Sequence, residues 1–311
     1  MHTLVTGGAG FIGANLARSL VEHGHSVRVL DDLSTGKMSN LEGLKIEFLE
    51  GSVIDPEALR NAVGGAEVVF HQAALPSVPR SVKDPFASHE ANATGTLRVL
   101  LEAKKRGVRR VVYAASSSAY GNTATLPKRE DMPSRPISPY AVAKLAGENY
   151  CQAFSATFGL ETVCLRYFNV FGPFQDPTGG YAAVIPKFIS AVLERTRPQI
   201  DGDGLQTRDF TFIDNVVLAN RLAASADARS SGQVINIAAG QRTTVLELLG
   251  IIAEIAGKKV DPLHAPARSG DVRDSWADIS KAQELLGYQP VVGLREGLKQ
   301  TLDWYSARSH D

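Results

Sequence analysis

Three groups of residues in this 311-residue sequence have types and spacing that suit chemistry. The first is Tyr140 and Lys144, in Ser138-Pro139-Tyr140-Ala141-Val142-Ala143-Lys144. Pro139 suits the first turn of a helix, and on a helix residues four apart share one face. A free tyrosine, with a pKa near ~10, is too weak an acid to serve as a base at neutral pH. A neighbouring ammonium favours the phenolate and lowers that value, so the pair is a candidate proton-transfer device. Tyrosine and lysine also meet at this spacing on ordinary amphipathic helices, so the pair takes its meaning from its company. The second group is Ser116-Ser117-Ser118, which follows an apolar run at 111–115. Serines at a strand end usually serve a turn, but there they are also placed to hydrogen-bond a substrate oxygen. The third is Thr6-Gly7-Gly8-Ala9-Gly10-Phe11-Ile12-Gly13.

The glycines at 7, 10 and 13 follow an apolar run and open a helical pattern. In that context glycine allows a tight turn, a close approach of backbone amides to a diphosphate, and close helix–sheet packing. The helix N-terminus adds free N–H groups and a partial positive charge. A second apolar run ends in Asp31-Asp32. An acid there accepts hydrogen bonds from the adenosine ribose, and two acids repel a 2′-phosphate. The expected cofactor is therefore NAD rather than NADP, held by Gly7, Gly10, Phe11, Ile12, Gly13, Asp31 and Asp32. The alternative for the two acids is a solvated loop pair.

These groups require a scaffold, and the pattern supplies one. Candidate strands fall at 2–6, 26–31, 45–49, 67–71, 109–115 and 161–167. Helical patterns fall at 11–23, 56–62, 86–105 and 139–158. Such alternation predicts βαβ units and a parallel sheet. Continuous apolar runs such as Val68-Val69-Phe70 suit strands covered on both faces. The expected fold is α/β: a Rossmann-type parallel sheet with a smaller α/β C-terminal substrate-binding region. Residues 1–170 form the NAD-binding part with the catalytic Tyr and Lys, and 171–311 mainly the substrate-binding part, interleaved with the first. The texture changes at a Pro- and Gly-rich loop at 173–180. Beyond it a short strand is expected at 234–238, and helices near 244–256, opened by the capping box Thr244-Val245-Leu246-Glu247, and near 294–305.

Composition narrows the classes. The 33 basic and 33 acidic residues argue against general nucleic-acid or membrane-surface binding. No basic leader precedes His2, and no apolar run has the length to span a bilayer, so a cytoplasmic protein is expected. Cys151 and Cys164, the only cysteines, read as reduced core thiols. His23 and His25 read as a solvated pair without a third ligand, so no metal is expected.

Taken together, these segments resemble the extended short-chain dehydrogenases/reductases, and within them the UDP-sugar 4-epimerases. The resemblance covers nearly the whole chain, through residues 6–13, 31, 114–121, 140–144, 165–172, 202–210 and 268–278. The branch that accepts N-acetylhexosamines resembles it most, through 75–81 and through 165–172 followed by 181–187. The resemblance implies that Ser116 bonds the sugar 4-oxygen, that Tyr140 is the base, and that Lys144 holds the nicotinamide ribose and tunes Tyr140. It places Ser52, Val53, Asn92 and Tyr167 near the cofactor. It places Ser117, Asn169, Ala183 and Val184 against the UDP-sugar, and Arg208 and Arg268 on the diphosphate, with Asp271 beside Arg268. Ser275 takes the place of a gate, where a small residue leaves room for a 2-acetamido group. There is one departure: Gly51-Ser52-Val53 stands where the family usually has Gly-Asp.

The implied reaction moves a hydride from sugar C4 to bound NAD while Tyr140 takes the hydroxyl proton. The resulting 4-keto sugar turns over and receives the hydride on its other face. The implied substrates are UDP-GlcNAc and UDP-GalNAc, and also UDP-Glc and UDP-Gal. A 4,6-dehydratase would need an acid and base where Ser117 and Ser118 stand. A UDP-glucuronate 4-epimerase is a closer alternative, although that branch often has Thr in place of Asn169. A non-catalytic NAD-binding regulator would tend to lose the Tyr–Lys pair. The resemblance further implies a homodimer through the Tyr140 helix and the 86–105 helix.

Overall fold

The computed structural model describes residues 1–177, 183–266 and 272–308. The first half runs β1 (His2–Thr6), α1 (Phe11–Glu22), β2 (Ser26–Asp31), β3 (Glu47–Glu50), α2 (Pro56–Val63), β4 (Val68–His71), α3 (Val78–Lys83), α4 (Pro85–His89), α5 (Gly95–Lys105), β5 (Arg110–Ser116), α6 (Pro139–Phe158) and β6 (Glu161–Tyr167). The second half continues with β7 (Val170–Phe171), α7 (Val184–Leu193), β8 (Gln199–Asp201), β9 (Thr207–Arg208), β10 (Thr211–Phe212), α8 (Ile213–Ser225), β11 (Gln233–Ile237), β12 (Thr243–Thr244), α9 (Val245–Ile255), β13 (Leu263–Ala265), α10 (Ser280–Leu286) and α11 (Leu294–Arg308).

Seven strands form one sheet in the order β11-β6-β5-β4-β1-β2-β3, and every pair in it is parallel. This is the Rossmann-type sheet that the alternation predicts. Its central strands are buried on both faces, with Val5, Val69, Phe70, Val111 and Val112 fully covered. Each such side chain contributes about 1.5–3 kcal/mol on burial. α1 turns Ala14, Leu16, Ala17 and Leu20 inward, the spacing of one helical face.

α6 carries both sequence signals for its ends. Ser138 caps it by accepting the Ala141 N–H, Pro139 opens it, and Gly159 closes it in the left-handed region. The capping box at Thr244 and Glu247 also forms. The pattern at 86–105 resolves differently: α4 and α5 flank a π-helical turn at Glu90–Thr94. A π-turn inserts a residue without altering the polar–apolar pattern enough to show in sequence. β3 begins two residues later than its apolar run, at Glu47, and α3 was not marked by periodicity. Cys151 and Cys164 are buried and free. No helix among the described residues is long and apolar enough to cross a membrane.

Candidate active site

Two cavities lie around the carboxyl ends of the parallel strands, where open α/β sheets bind ligands. The first, of about 240 Å³, is bordered by Gly7, Gly10, Phe11, Ile12 and Gly13. Asp31 and Asp32 at the end of β2, Ser52 and Val53 after β3, and Tyr167 at the end of β6 complete that side. Tyr140 and Lys144 enter it from α6. A nucleotide fits this cradle. Gly7 has φ +67°, and a Cβ on it would stand 2.6 Å from the Ala73 backbone. A Cβ on Gly13 would stand 2.1 Å from the Gly7 carbonyl oxygen. Gly10 caps α1 with no side chain across its N–H groups, so the first turn is open to an anion.

Asp31 accepts the Ala9 N–H at 2.9 Å and the Leu33 N–H at 2.8 Å. Burial pushes its carboxyl above the usual range, and those N–H groups pull the other way. The exposed Asp32 accepts from the Ser34 N–H and hydroxyl. Asn92 does not border the cavity. It is fully buried, and its amide bonds both the N–H and the carbonyl of Leu75, at 3.0 and 3.1 Å. Leu75 borders the cavity, so Asn92 acts on it by holding its wall.

Ser116 ends β5 opposite Tyr167, lies beside Tyr140 and borders neither cavity. Ser116 Oγ accepts the Ser118 N–H at 3.2 Å and lies 2.8 Å from Ser118 Oγ. Ser117 opens the 3₁₀ turn that follows and borders neither cavity. Lys144 is buried, and that burial lowers its pKa to about 8. The sequence predicts a lowered Tyr140 pKa, but in the protein alone burial raises it, with Ser116 pulling the other way.

The second cavity, of about 260 Å³, is bordered by Asn169, Ala183, Val184 and Arg208. Arg208 donates to the carbonyls of Thr207 and Arg273, at 2.9 and 3.0 Å. Asn169 has φ +30° and donates to the Asp209 carbonyl at 3.3 Å. Asp209 itself is fully buried and accepts the Ala239 and Ala277 N–H groups, which fixes the backbone on both sides of this wall. Gln175 also borders the cavity. Its Nε2 donates to the Val170 carbonyl, and its buried Oε1 has no hydrogen-bond partner among the described residues. Sequence reasoning missed Gln175 because a polar residue in a Pro- and Gly-rich loop carries no periodic signal. Ser275 donates its N–H to Thr207 at 3.0 Å, next to Arg208, but borders neither cavity. Arg268 and Asp271 lie outside the described residues. Among the described residues, no group of three or more His, Cys, Asp or Glu is placed to hold a metal ion.

Beneath the glycine loop runs a buried polar chain. Ala73 N–H donates to Thr6 Oγ1, which lies 2.7 Å from His71 Nδ1, and His71 Nε2 lies 3.0 Å from Thr96 Oγ1. Thr96 spends its proton on the Asn92 carbonyl, so Nε2 donates to Thr96 Oγ1. Burial, with the Lys144 charge, lowers the ring's pKa to about 3, so it is neutral at pH 7 and Nδ1 accepts from Thr6 Oγ1. A histidine held neutral in the fold gains its stabilisation above its unfolded pKa of ~6.5. That stabilisation is lost as pH falls from there toward 3, by about 1.4 kcal/mol per pH unit. His71→Gln removes this one-proton slope. Denaturant titrations of both proteins at pH 7, 6 and 5 should diverge accordingly, and parallel losses would contradict the assignment.

The comparisons agree with this geometry. Residues 3–238 match the NAD dependent epimerase/dehydratase family. The chain is 40% identical to a UDP-glucose 4-epimerase of Mycolicibacterium smegmatis, over 99% of this chain and 100% of that one. Among solved structures it is similar to a UDP-glucose 4-epimerase of Thermotoga maritima with UDP-glucose. There the TM-score is 0.95 and the identity 40%, covering 99% of this chain and 100% of the other. It is also similar to a UDP-N-acetylglucosamine 4-epimerase of Methanobrevibacter ruminantium in complex with UDP-N-acetylmuramic acid, at TM-score 0.94 and 37% identity, covering 99% and 98%. The glycine cradle, the Tyr140–Lys144 pair that enters it and these matches place the chain in the NAD dependent epimerase/dehydratase family, and within it among the UDP-sugar 4-epimerases of the extended short-chain dehydrogenases/reductases.

Proposed function

We propose that this chain interconverts the C4 epimers of UDP-hexoses, taking UDP-GlcNAc and UDP-GalNAc and also UDP-Glc and UDP-Gal. The observation that carries this reading is the entry of Tyr140 and Lys144, from one face of α6, into the glycine cradle, with Ser116 beside Tyr140 at the end of β5. Bound NAD supplies a reversible hydride acceptor beside it. Ser116 donates to the sugar 4-oxygen, and Tyr140 removes the proton from that oxygen and later returns it. Lys144, one turn along α6, favours the phenolate and holds the ribose. Asp31 and Asp32 take the adenosine ribose, and the first turn of α1 takes the diphosphate of the cofactor. Asn169, Ala183, Val184 and Arg208 hold the UDP half of the substrate, and Arg268 joins Arg208 on its diphosphate. A panel of UDP-Glc, UDP-Gal, UDP-GlcNAc, UDP-GalNAc and UDP-GlcA tests the reading. Conversion of UDP-GlcA alone would move the chain to the glucuronate branch.

Support for the N-acetylated pair comes from Ser275, a small residue in the segment Asp274-Ser275-Trp276-Ala277-Asp278. Its neighbour Asp274 accepts from Thr207, beside Arg208, so this segment stands close to the phosphate end of the substrate cavity. Ser275→Tyr should fill the added space and lower kcat/KM for UDP-GalNAc by about 10–200-fold, the worth of a pocket-filling change, with a smaller loss for UDP-Gal. Equal losses for both substrates would remove Ser275 from this role.

The chain is also proposed to form a homodimer through α6 and the 85–105 helical stretch. Phe86, Leu101, Val142 and Tyr150, all exposed in the single chain, form the supporting apolar surface. Light scattering that gave the mass of one chain would count against it.

A further inference from the structure

Lys144 holds its charge in an unusual setting. Its side chain is 3% exposed, and the carboxylate one turn further along α6, Glu148, is committed to Arg166 at 2.6 and 2.8 Å. A buried ammonium needs some other compensation. The structure offers one: Lys144 Nζ stands 4.4 Å from the centroid of the Tyr113 ring. Tyr113 lies on β5, is fully buried, and donates its hydroxyl to the Lys144 carbonyl at 3.1 Å. One side chain thus grips both ends of the lysine. The approach depends on Gly147, where a Cβ would stand 2.4 Å from the Tyr113 hydroxyl and 2.8 Å from the ring carbon that bears it. Glycine is a poor helix former, and its place within α6 is explained by the ring that passes beneath it.

We propose that Tyr113 is a positioning residue that seats the Lys144 ammonium by a cation–π contact and ties α6 to the sheet at that same residue. The inference rests on the reading that Lys144 serves Tyr140 and the cofactor. The other titratable groups facing Lys144 are His71 from β4, Tyr140, Glu148 and Cys151 from α6, and Cys164 from β6. His71 is kept neutral by its burial. Glu148 is committed to Arg166 by two hydrogen bonds, whereas the Tyr113 ring faces the cation at 4.4 Å. A desolvated cation–π contact is worth about one pKa unit or somewhat more.

The test uses the protein as isolated, labelled with [ε-¹³C]lysine, and follows the Lys144 resonance with pH. The resonance is identified by its loss in Lys144→Met. Tyr113→Leu should lower the midpoint by about one pH unit. Tyr113→Phe, which keeps the ring, should restore most of the shift. Trifluorophenylalanine at position 113 keeps the shape but withdraws electron density from the ring face, and should fall between the two; it also serves if the Leu variant does not fold. A midpoint that ignores both ring loss and fluorination overturns the proposal. Full epimerase activity in Lys144→Met would instead overturn the role given to Lys144, whatever the midpoints show.

Discussion

Replacing Tyr140 by Phe should lower epimerase turnover by about 10²–10⁴-fold, the usual contribution of a general acid–base group, while bound NAD and the fold persist. The substitution removes one oxygen. The ring stays between its neighbours, so Pro139, Ala141 and the Ser138 cap keep α6 in place. What is lost is the hydroxyl beside Ser116. The protein alone raises the Tyr140 pKa through burial, so the base works only where a neighbouring positive charge favours its phenolate. For that reason Lys144→Met should also depress activity, and Tyr140→Phe should lose kcat and kcat/KM together, as expected when an interaction made in the transition state is removed. The variant would be compared with the parent by turnover and by its NAD content after purification. Near-normal turnover with NAD retained would take Tyr140 out of the mechanism.

The largest expected effect on stability belongs to Arg166. Its guanidinium makes a bidentate pair with Glu148, which joins β6 to α6, and both side chains are nearly inaccessible, at 4% and 3%. Nη2 also donates to Ser134, and the guanidinium lies 4.5 Å from the centroid of the Tyr120 ring. Arg166→Met leaves the Glu148 carboxylate buried without its partner. Breaking such a pair costs about 3–5 kcal/mol, a large part of the ~5–15 kcal/mol of a typical domain. Because α6 carries Tyr140 and Lys144, activity should fall with stability. Arg166→Met combined with Glu148→Leu should recover much of the loss, since removing both charges removes the uncompensated one. Denaturant midpoints for the parent, single and double variants measure this. A loss below about 1 kcal/mol in the single variant would mean that water reaches Glu148 and the pair is not structural.

What could be read from the sequence was what local chemistry encodes. The glycine turn, the acids after β2 and the Ser138-Pro139 start of α6 each announce themselves within a few residues; the first two border the first cavity, and the third opens the helix that carries Tyr140 and Lys144 into it. What could not be read was pairing over distance. Arg166 and Glu148 are 18 residues apart, and Tyr113 and Lys144 are 31 apart. Neither partner differs in local pattern from an ordinary strand or helix residue. β11 shows the same limit: Gln233–Ile237 reads as a strand, but only the folded sheet shows that it lies beside β6 at the edge. The π-turn at Glu90–Thr94 was hidden for another reason, since one extra residue per turn leaves the helical pattern almost unchanged. Asn92, within that turn, was expected near the cofactor, yet its side chain faces the Leu75 backbone. Type and spacing name a residue but do not show which way it faces.

The central claim is that hydrogen leaves C4 and returns to it without net redox change, and one measurement addresses it directly. The protein as isolated, with no NAD added, is incubated in D₂O with UDP-GlcNAc and, separately, with UDP-Glc, and the products are examined by proton NMR. A hydrogen held within the site during turnover does not exchange with solvent, whereas the proton handled by Tyr140 does. The expected result is the C4 epimer with its C4 proton fully retained. Deuterium at C4, or the absence of an epimer from both substrates, would contradict the account.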